Sequence, residues 1–300
     1  MKIIATSDLH LEKKKNQNAY NLPKLIGNYI KTQEEETFIF AIIGDISQNI
    51  SLLSDYLVLF KDIDIPKLFI AGNHDIWIKD PSSTNNKNIN SYELYSKILL
   101  NVCENANFHY LDNSPIVIDN VGFVGNIGWY DYSFRRIIEP ETPSKSLFIR
   151  KKTFEKLKWN ELTDIDYRNK ELWTQDEFEN FYRLTAWNDK FFIKWNNKYD
   201  DISFCNSCYK TINNHIKIIY NESSKIVFMS HHAMFEECIV QKKDYAWSFN
   251  LAFAGCKYIG DFLMSNNKIS KILFGHTHIP GKYKINNRLE AVNPCFKPDK

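Results

Sequence analysis

The sequence predicts an α/β protein built around a parallel β-sheet, with a second sheet packed against the first. Short apolar runs rich in Ile, Val and Phe recur along the chain, as is typical of strands buried on both faces. Helical patterns separate the first three runs, which predicts right-handed βαβ units. Each run ends directly in a polar cluster that contains Asp, Asn or His. The runs are 2–6, 37–43, 66–71, 225–229 and 271–274.

Two helices are predicted in the connections between the first three strands. In each connection, apolar residues recur at intervals of three and four, so that they share one helical face. The residues that define the two faces are Leu22, Leu25, Ile26 and Tyr29, followed by Leu52, Tyr56, Leu57 and Phe60.

The second sheet is predicted from two hairpins. In each hairpin, two short apolar strands flank a turn-forming dipeptide. The first hairpin joins 116–118 to 122–125 through Asp119-Asn120, and the second joins 283–285 to 289–292 through Asn286-Asn287.

Residues 130–224 differ from the rest of the chain because they are rich in aromatic residues and lysine. The basic run 145–158 could contact a phosphate-rich partner, although such a run is also typical of a solvated helix face. Cys205 and Cys208 lack the second half of a zinc site, so we interpret them as two thiols on one helical face. A stripe at helical spacing predicts a helix packed into the core of this region. Its members are Phe181, Leu184, Trp187, Phe191 and Trp195.

Composition and charge argue against several classes of protein. The chain has 300 residues, of which 44% are hydrophobic and 25% are charged, as in ordinary globular proteins. Its 38 basic and 36 acidic residues give a net charge of +2, which disfavours affinity based mainly on phosphate-backbone neutralisation. The longest apolar run, 38–43, is too short for a membrane span, and no signal peptide is visible. We therefore expect a cytoplasmic protein without a membrane partner.

The polar clusters at the strand ends supply two carboxylates, one amide oxygen and four imidazoles. Ligands of parallel sheets bind beyond the carboxyl ends of the strands, so we expect these side chains to share a crevice. Two carboxylates close together repel each other unless a cation compensates their charge. Mixed carboxylate and imidazole donors suit Zn, Fe, Mn or Co. The candidate metal ligands are Asp8, His10, Asp45, Asn73, His231, His276 and His278.

The number and spacing of these residues favour a dinuclear centre. In Asp8-x-His10 and His276-x-His278 the paired side chains would project to the same side of an extended backbone. Seven ligands exceed the need of one ion with an open position, but they fit two ions that share a carboxylate. Each cluster alone has an ordinary explanation as a turn, a cap or a buried histidine. Their common placement favours metal, and a single structural zinc site would need fewer ligands.

The motifs SDLH, GD, GNHD, SHH and GHTH, in this order, resemble those of the calcineurin-like metallophosphoesterases. The resemblance covers residues 1–127 and 225–294. It implies two facing mixed β-sheets flanked by helices, with a dinuclear centre at the strand ends. We expect one domain over 1–300, in which an aromatic-rich helical subdomain is inserted at about 130–224.

The resemblance also implies a role for each site residue. Its implied catalytic pair is His74, a histidine outside the metal shell, and Asp75, which would orient the ring of His74. Of the two adjacent histidines, His231 matches the ligand position, which places His232 behind the metal shell or against the insertion. The first ion would be bound by Asp8, His10 and His278, both ions by Asp45, and the second ion by Asn73, His231 and His276.

The implied function is metal-dependent hydrolysis of a phosphoester by a bridging hydroxide. The substrate would be small or nucleotide-like, and the enzyme a phosphodiesterase or a phosphatase. Manganese is the first ion expected, with Fe, Zn, Co or Mg as alternatives. A nuclease of the same superfamily is disfavoured by the near-neutral charge, and a non-catalytic metal-binding scaffold by the complete ligand set. The segment 128–132, with Arg135 and Arg136, could grip a nucleotide or form a structural hinge.

Overall fold

The computed structural model describes residues 1–33, 36–78, 89–134, 187–240 and 250–298. The predicted α/β fold is confirmed, since two β-sheets face each other and helices cover their outer faces. Some predicted features lie outside the described residues. They are Arg135, Arg136, the basic run 145–158, Phe181 and Leu184.

The described part of the chain contains ten strands. Each of the five apolar runs predicted from the sequence forms a strand of this set. The strands are β1 (Lys2–Thr6), β2 (Phe38–Ile43), β3 (Lys67–Ile70), β4 (His109–Tyr110), β5 (Ile116–Ile118), β6 (Val121–Asn126), β7 (Lys225–Ser230), β8 (Ile269–Phe274), β9 (Gly281–Lys284) and β10 (Glu290–Asn293).

The α-helices of the described residues include both helices predicted between the first strands. They are α1 (Leu22–Lys31), α2 (Ile50–Val58), α3 (Ser91–Glu93), α4 (Leu99–Asn105), α5 (Asp189–Phe192), α6 (Asp201–Ile219) and α7 (Lys257–Ser265). A π-helical segment, Leu94–Ile98, joins α3 to α4. Short 3-10 helices occur at Lys14–Asn21, His74–Ile76, Glu236–Cys238 and Leu251–Phe253. None of the described helices has the length and apolar character that crossing a bilayer requires.

The first sheet has the order β1-β2-β3-β4 and is parallel throughout. Strand β2 is central, and all six of its side chains are buried. Alternate residues of β2 serve two cores, because successive side chains of a strand point to opposite faces. Ile39, Ala41 and Ile43 pack between the sheets, whereas Phe40 and Ile42 pack beneath the helices. Burial of one such side chain contributes about 1.5–3 kcal/mol.

The second sheet has the order β5-β6-β7-β8-β10-β9 and is mixed. Both predicted hairpins are present as the antiparallel pairs β5–β6 and β9–β10. In the first hairpin, Asp119 and Asn120 have φ values of 47° and 63°, as a type I′ turn requires. The inner face of this sheet packs on the inner face of the first through Phe123, Met229 and Leu273.

Helix α6 connects the parallel strands β6 and β7. Its residues Phe204, Ile212 and Ile216 are buried in the core cluster that covers the outer face of the second sheet. The end of the region 130–224 therefore forms part of the helical layer of the sandwich. The boundaries of an inserted subdomain stay a prediction.

The predicted continuous helix through Trp187, Phe191 and Trp195 is wrong in its described part. Helix α5 ends at Phe192 because Ile193 adopts an extended backbone with φ −81° and ψ 127°. The packing interpretation holds, since Trp195 is buried and Trp187 and Phe191 pack against the core cluster.

Candidate metal centre

Loops that follow β1, β2, β3, β7 and β8 meet at one edge of the two sheets. Backbone hydrogen bonds join these loops: the amide of Asp8 donates to the carbonyl of Gly44, and that of Gly275 donates to the carbonyl of His231. The loops bring all seven predicted metal ligands into one crevice. These are Asp8, His10, Asp45, Asn73, His231, His276 and His278.

Five of these residues have a left-handed backbone, which is uncommon outside glycine. Their φ values are 57° for Asp8, 42° for His10, 58° for Asp45, 65° for His276 and 56° for His278. The extended backbone expected for the two spaced pairs is therefore wrong. A non-glycine residue in this region costs on the order of 1–3 kcal/mol, and such strain clusters at functional sites. The side chains still converge, because hydrogen bonds join the loops to one another at the strand ends.

Two glycines allow the loops to approach closely. A Cβ added to Gly72 would lie 2.2 Å from Oδ1 of Asp45, and one added to Gly44 would lie 2.7 Å from Nδ1 of His231. The backbone of Gly44 also has a φ of 74°. The glycines of the GD and GNHD motifs are thus required by the packing of the crevice.

A first group of donors surrounds the Asp8 side of the crevice. One ligand-type atom from each of Asp8, His10, Asp45 and His278 lies within 4.8 Å of the others. Nε2 of His10 is 3.2 Å from Nε2 of His278 and 3.7 Å from Oδ2 of Asp45. Nε2 of His278 is 3.5 Å from Oδ1 of Asp8. This group has the composition of a site for a divalent cation.

A second group of donors lies on the other side of Asp45. Nε2 of His231 is 3.3 Å from Oδ2 of Asp45 and 3.1 Å from Oδ1 of Asn73. Nδ1 of His276 is 3.3 Å from the same Asn73 oxygen. Oδ2 of Asp45 therefore faces histidines of both groups.

The electrostatics of the crevice centre on the buried carboxylate of Asp45. Burial opposes its ionisation, but the rings of His231, His74 and His10 hold the pKa of Asp45 well below its ordinary value. Burial also acts against a charged His231, yet the Asp45 carboxylate raises the pKa of His231 to about 10. Burial and neighbouring histidines lower the pKa of His276 well below its ordinary value. Opposite charges on Asp45 and His231 therefore stabilise each other in the metal-free crevice.

His74 lies beside the two groups. Its backbone N–H donates to Oδ1 of Asp45 at 2.9 Å, and its Nε2 is 3.9 Å from Oδ2 of Asp45. The ring stacks on Trp77 with 3.6 Å between centroids. Burial lowers the pKa of His74 to about 3, so the ring is neutral at neutral pH in the metal-free protein.

The predicted role of Asp75 as the residue that orients His74 is contradicted by its hydrogen bonds. The Asp75 carboxylate accepts backbone N–H groups of Asp45, Ile46, Ser47 and Gly72 at 2.8–3.1 Å. Nδ1 of His74 is buried and has no hydrogen-bond partner among the described residues. Asp75 therefore fixes the loop of Asp45, and burial beside Asp45 raises the pKa of Asp75 to about 7.

His232 packs behind the metal-ligand candidates. Its Nδ1 faces the carbonyl of Ile127 at 3.3 Å, and its ring lies 4.3 Å from that of His276 and 5.1 Å from that of Trp129. Trp129 and Tyr130 are fully buried and Tyr132 nearly so. The aromatic segment 128–132 is therefore part of the core, and its use as an open nucleotide-binding wall is excluded.

The family of the chain is decided by its sequence match. The sequence profile of the calcineurin-like phosphoesterases matches residues 1–280. The chain belongs to this family. It is therefore a metallophosphoesterase, a hydrolase that acts on phosphoric esters.

Solved structures share the fold of this calcineurin-like phosphoesterase. The phosphopantetheinyl hydrolase PptH from Mycobacterium tuberculosis aligns with a TM-score of 0.66 and 13% identity, over 98% of this chain and 88% of PptH. A dimetal phosphatase from Danio rerio aligns with a TM-score of 0.51 and 11% identity, over 97% of this chain and 86% of the phosphatase. The chain has no significant match among curated proteins.

Three residues of the metallophosphoesterase site were missed by sequence reasoning. Glu12 lies 3.6 Å from Nδ1 of His10, and Trp77 stacks on His74. Asp189, buried and distant in sequence, accepts a hydrogen bond from the side-chain amide of Asn73 at 2.8 Å. The spacing Asp8-x-His10-x-Glu12 could have drawn attention to Glu12. An acid amid the aromatic residues of the stretch TAWNDKFF is the corresponding signal for Asp189.

Proposed function

We propose that the chain hydrolyses its phosphoester with two divalent ions held in the strand-end crevice. Asp45 would be shared between the ions. Manganese is the ion proposed first, and the mixed imidazole and carboxylate donors also suit Fe, Zn or Co. One ion would be held by Asp8, His10 and His278, and the other by Asn73, His231 and His276.

The observation that carries this proposal is that ring nitrogens, carboxylate oxygens and an amide oxygen face one another in the crevice. Nδ1 of His231 is 2.9 Å from the carbonyl of Ile43, to which it can donate its N–H. A neutral ring then directs the lone pair of Nε2 towards the oxygens of Asp45 and Asn73. A positive charge at this place, carried by a proton or by a metal ion, makes the arrangement favourable. In the metal-free protein a second proton on His231 can supply the charge, and a divalent ion would compete with that proton.

The surroundings of the histidines also fit a metal. In His231 and His276, the ring nitrogen that would not bind an ion faces a backbone carbonyl, as is usual for metal-bound histidines. For His276 the carbonyl is that of Phe253, 3.1 Å from Nε2. The Nδ2 group of Asn73 is likewise engaged by Asp189, which leaves Oδ1 facing the crevice. These contacts support the proposed ligand set.

When bound, the two ions would supply Lewis acidity and lower the pKa of water so that hydroxide can attack phosphorus at neutral pH. His74 is proposed to assist departure of the leaving oxygen. Its stacking on Trp77 fixes the ring, and a neutral imidazole still carries one N–H that can donate a hydrogen bond. A bound anionic phosphoester would raise the pKa of His74 and favour full proton transfer.

The proposed substrate is a small or nucleotide-like phosphoester. The net charge of +2 provides little general attraction for a nucleic-acid backbone. Because the aromatic segment 128–132 is buried, it supplies no stacking platform for bases. The activity named for the structural relative PptH adds phosphopantetheinyl compounds to the substrates to be tested.

We propose a cytoplasmic location because the cysteines are free thiols. All six cysteines of the chain lie within the described residues, and all are free thiols and buried. Free thiols are typical of a reducing compartment.

The test combines metal analysis with turnover. Purified protein is loaded with Mn, Fe, Zn or Mg, and hydrolysis of bis-p-nitrophenyl phosphate and p-nitrophenyl phosphate is measured for each. We expect two ions per chain and turnover of at least one ester. Absence of bound metal, or metal binding without turnover of any ester, would reject the proposal. A steep fall in turnover of single-stranded DNA with salt would favour the nuclease instead.

A further inference from the structure

Asp189 collects three side-chain donors around one buried carboxylate. Oδ1 accepts Nδ2–H of Asn73 at 2.8 Å and Nε1–H of Trp77 at 2.6 Å, and Oδ2 accepts Nε1–H of Trp187 at 2.8 Å. The residue is 1% exposed. A backbone bond from the N–H of Ile78 to the carbonyl of Phe192, at 2.8 Å, ties helix α5 to the same loop. The loop after β3 is thus held by a segment more than a hundred residues away.

Each donor touches the crevice. Asn73 belongs to the proposed ligand set itself. Trp77 stacks on His74. The ring of Trp187 stacks on that of Phe253 at 5.2 Å, and the carbonyl of Phe253 faces Nε2 of His276. One carboxylate is therefore connected to a proposed ligand directly and to two further site residues through aromatic rings.

The chemistry of a carboxylate decides the orientation of the Asn73 amide. An ionised carboxyl group only accepts hydrogen bonds, so it engages the NH₂ end of the amide. The amide oxygen must then point away from Asp189, towards His231 and His276. Reversal of the amide would set two oxygens against each other at Asp189 and turn the NH₂ group towards the crevice.

We infer that Asp189 is a positioning residue that presents the Asn73 oxygen to the second ion and fixes the place of His74 through Trp77. This inference rests on the proposed metal role of Asn73. It gives the segment that precedes α6 a role in the centre, because that segment supplies the acceptor for the Asn73 amide.

Asp201, the first residue of α6, offers a matched control close to this segment. It is also a buried carboxylate, and it accepts hydrogen bonds from Trp129, Tyr132 and Lys190. None of these three is a proposed metal ligand. Asp201→Asn should destabilise the fold without a selective effect on either ion.

The experiment measures Mn²⁺ binding by calorimetric titration of the metal-free chain, with thermal unfolding of each variant recorded alongside. Asp189→Asn should weaken one of two Mn²⁺ sites by about 10–100-fold, as is usual for the partner of a ligand. In this variant an NH₂ group faces either the Trp187 indole or the Asn73 amide together with the Trp77 indole. Adding Trp187→Phe removes the competing indole donor, so the new amide oxygen can again hold Asn73. The double variant should match Trp187→Phe alone to within about twofold.

The outcomes separate this inference from the proposed function. Wild-type protein that binds no Mn²⁺ would reject both. If the wild-type protein has two sites and Asp189→Asn leaves both unchanged, the role of Asp189 alone is overturned. The same holds if Asp201→Asn weakens a site as much as Asp189→Asn does. If Asp189→Asn does not fold, the double variant decides. Binding equal to Trp187→Phe supports the role, and weaker binding contradicts it.

Discussion

The bodies of the central strands and the Asp45 loop that follows one of them are both buried, but the two regions differ in polarity and in backbone conformation. Strand β2 is apolar and regular, with all six side chains buried. Asp45, two residues beyond it, is 1% exposed, charged and in a left-handed conformation. Burial stabilises the strand, whereas burial of an isolated charge and a strained backbone are each unfavourable. The sheets therefore supply the stability that holds the crevice together.

Asp45→Asn should cause the largest effect, since it removes the carboxylate that faces histidines of both donor groups. We expect turnover near background and fewer than two bound ions, measured by phosphoester hydrolysis and metal analysis. Asp112→Asn is the matched control, because Asp112 is a buried carboxylate that accepts backbone N–H groups of Ala71 and Ile127. It should keep both ions. If the Asp45→Asn variant still binds two ions and keeps full turnover, the strand-end loop of Asp45 does not have the functional role that distinguishes it from the strand.

His74→Ala should lower kcat by about 10²–10⁴-fold, the usual contribution of a proton donor. Metal content should stay at the wild-type value, because His74 lies outside the proposed ligand set. His109→Ala serves as control, since the His109 ring contacts Ser114 away from the crevice. Loss of metal together with activity would instead make His74 a ligand.

Phe40→Ala tests whether the buried strands supply the stability of the fold. Phe40 stacks on Phe60 at 4.8 Å and is almost fully buried. Its truncation should lower the free energy of unfolding by about 3–5 kcal/mol, while the folded fraction keeps both ions. Chemical denaturation measures the loss. Leu25→Ala, at an exposed helical position, should change stability by no more than about 0.5 kcal/mol. A Phe40→Ala protein that stays equally stable would contradict the assigned source of stability.

Removal of metal should have the smallest effect on folding. Ions that bind only the folded chain stabilise it by about 2.7 kcal/mol at one hundred times their Kd. Chelation should therefore lower Tm by several degrees and leave the fold intact, as circular dichroism can show. Unfolding on chelation would mean that the crevice, and not the sheets, holds the protein together.

Much of the fold could be predicted because its determinants are local. Apolar runs marked the strands, and Asp119-Asn120 marked a turn that needs two left-handed residues. The ligand candidates followed from their position after each run. The expected backbone of the spaced pairs was wrong, because the loop that carries His276 folds onto Asp8, with the amide of His276 donating to Oδ1 of Asp8 at 2.9 Å.

The remainder depended on partners far apart in sequence. Asp75 accepts hydrogen bonds from backbone N–H groups, which do not depend on the type of side chain. The sequence pattern therefore does not predict these contacts. Asp189 accepts a hydrogen bond from Asn73, which lies 116 positions away in the sequence. Helix α5 ends at Phe192 although the aromatic stripe continues, because Ile193 is extended, and Trp195 is buried without belonging to the helix. Periodicity predicts which residues are buried more reliably than which backbone carries them.

Anomalous diffraction from crystals grown with Mn²⁺ tests the dinuclear centre most directly. We predict two manganese peaks per chain, both next to the Asp45 carboxylate, one flanked by His10 and His278 and the other by His231 and His276. A single peak, or peaks remote from Asp45, would contradict it.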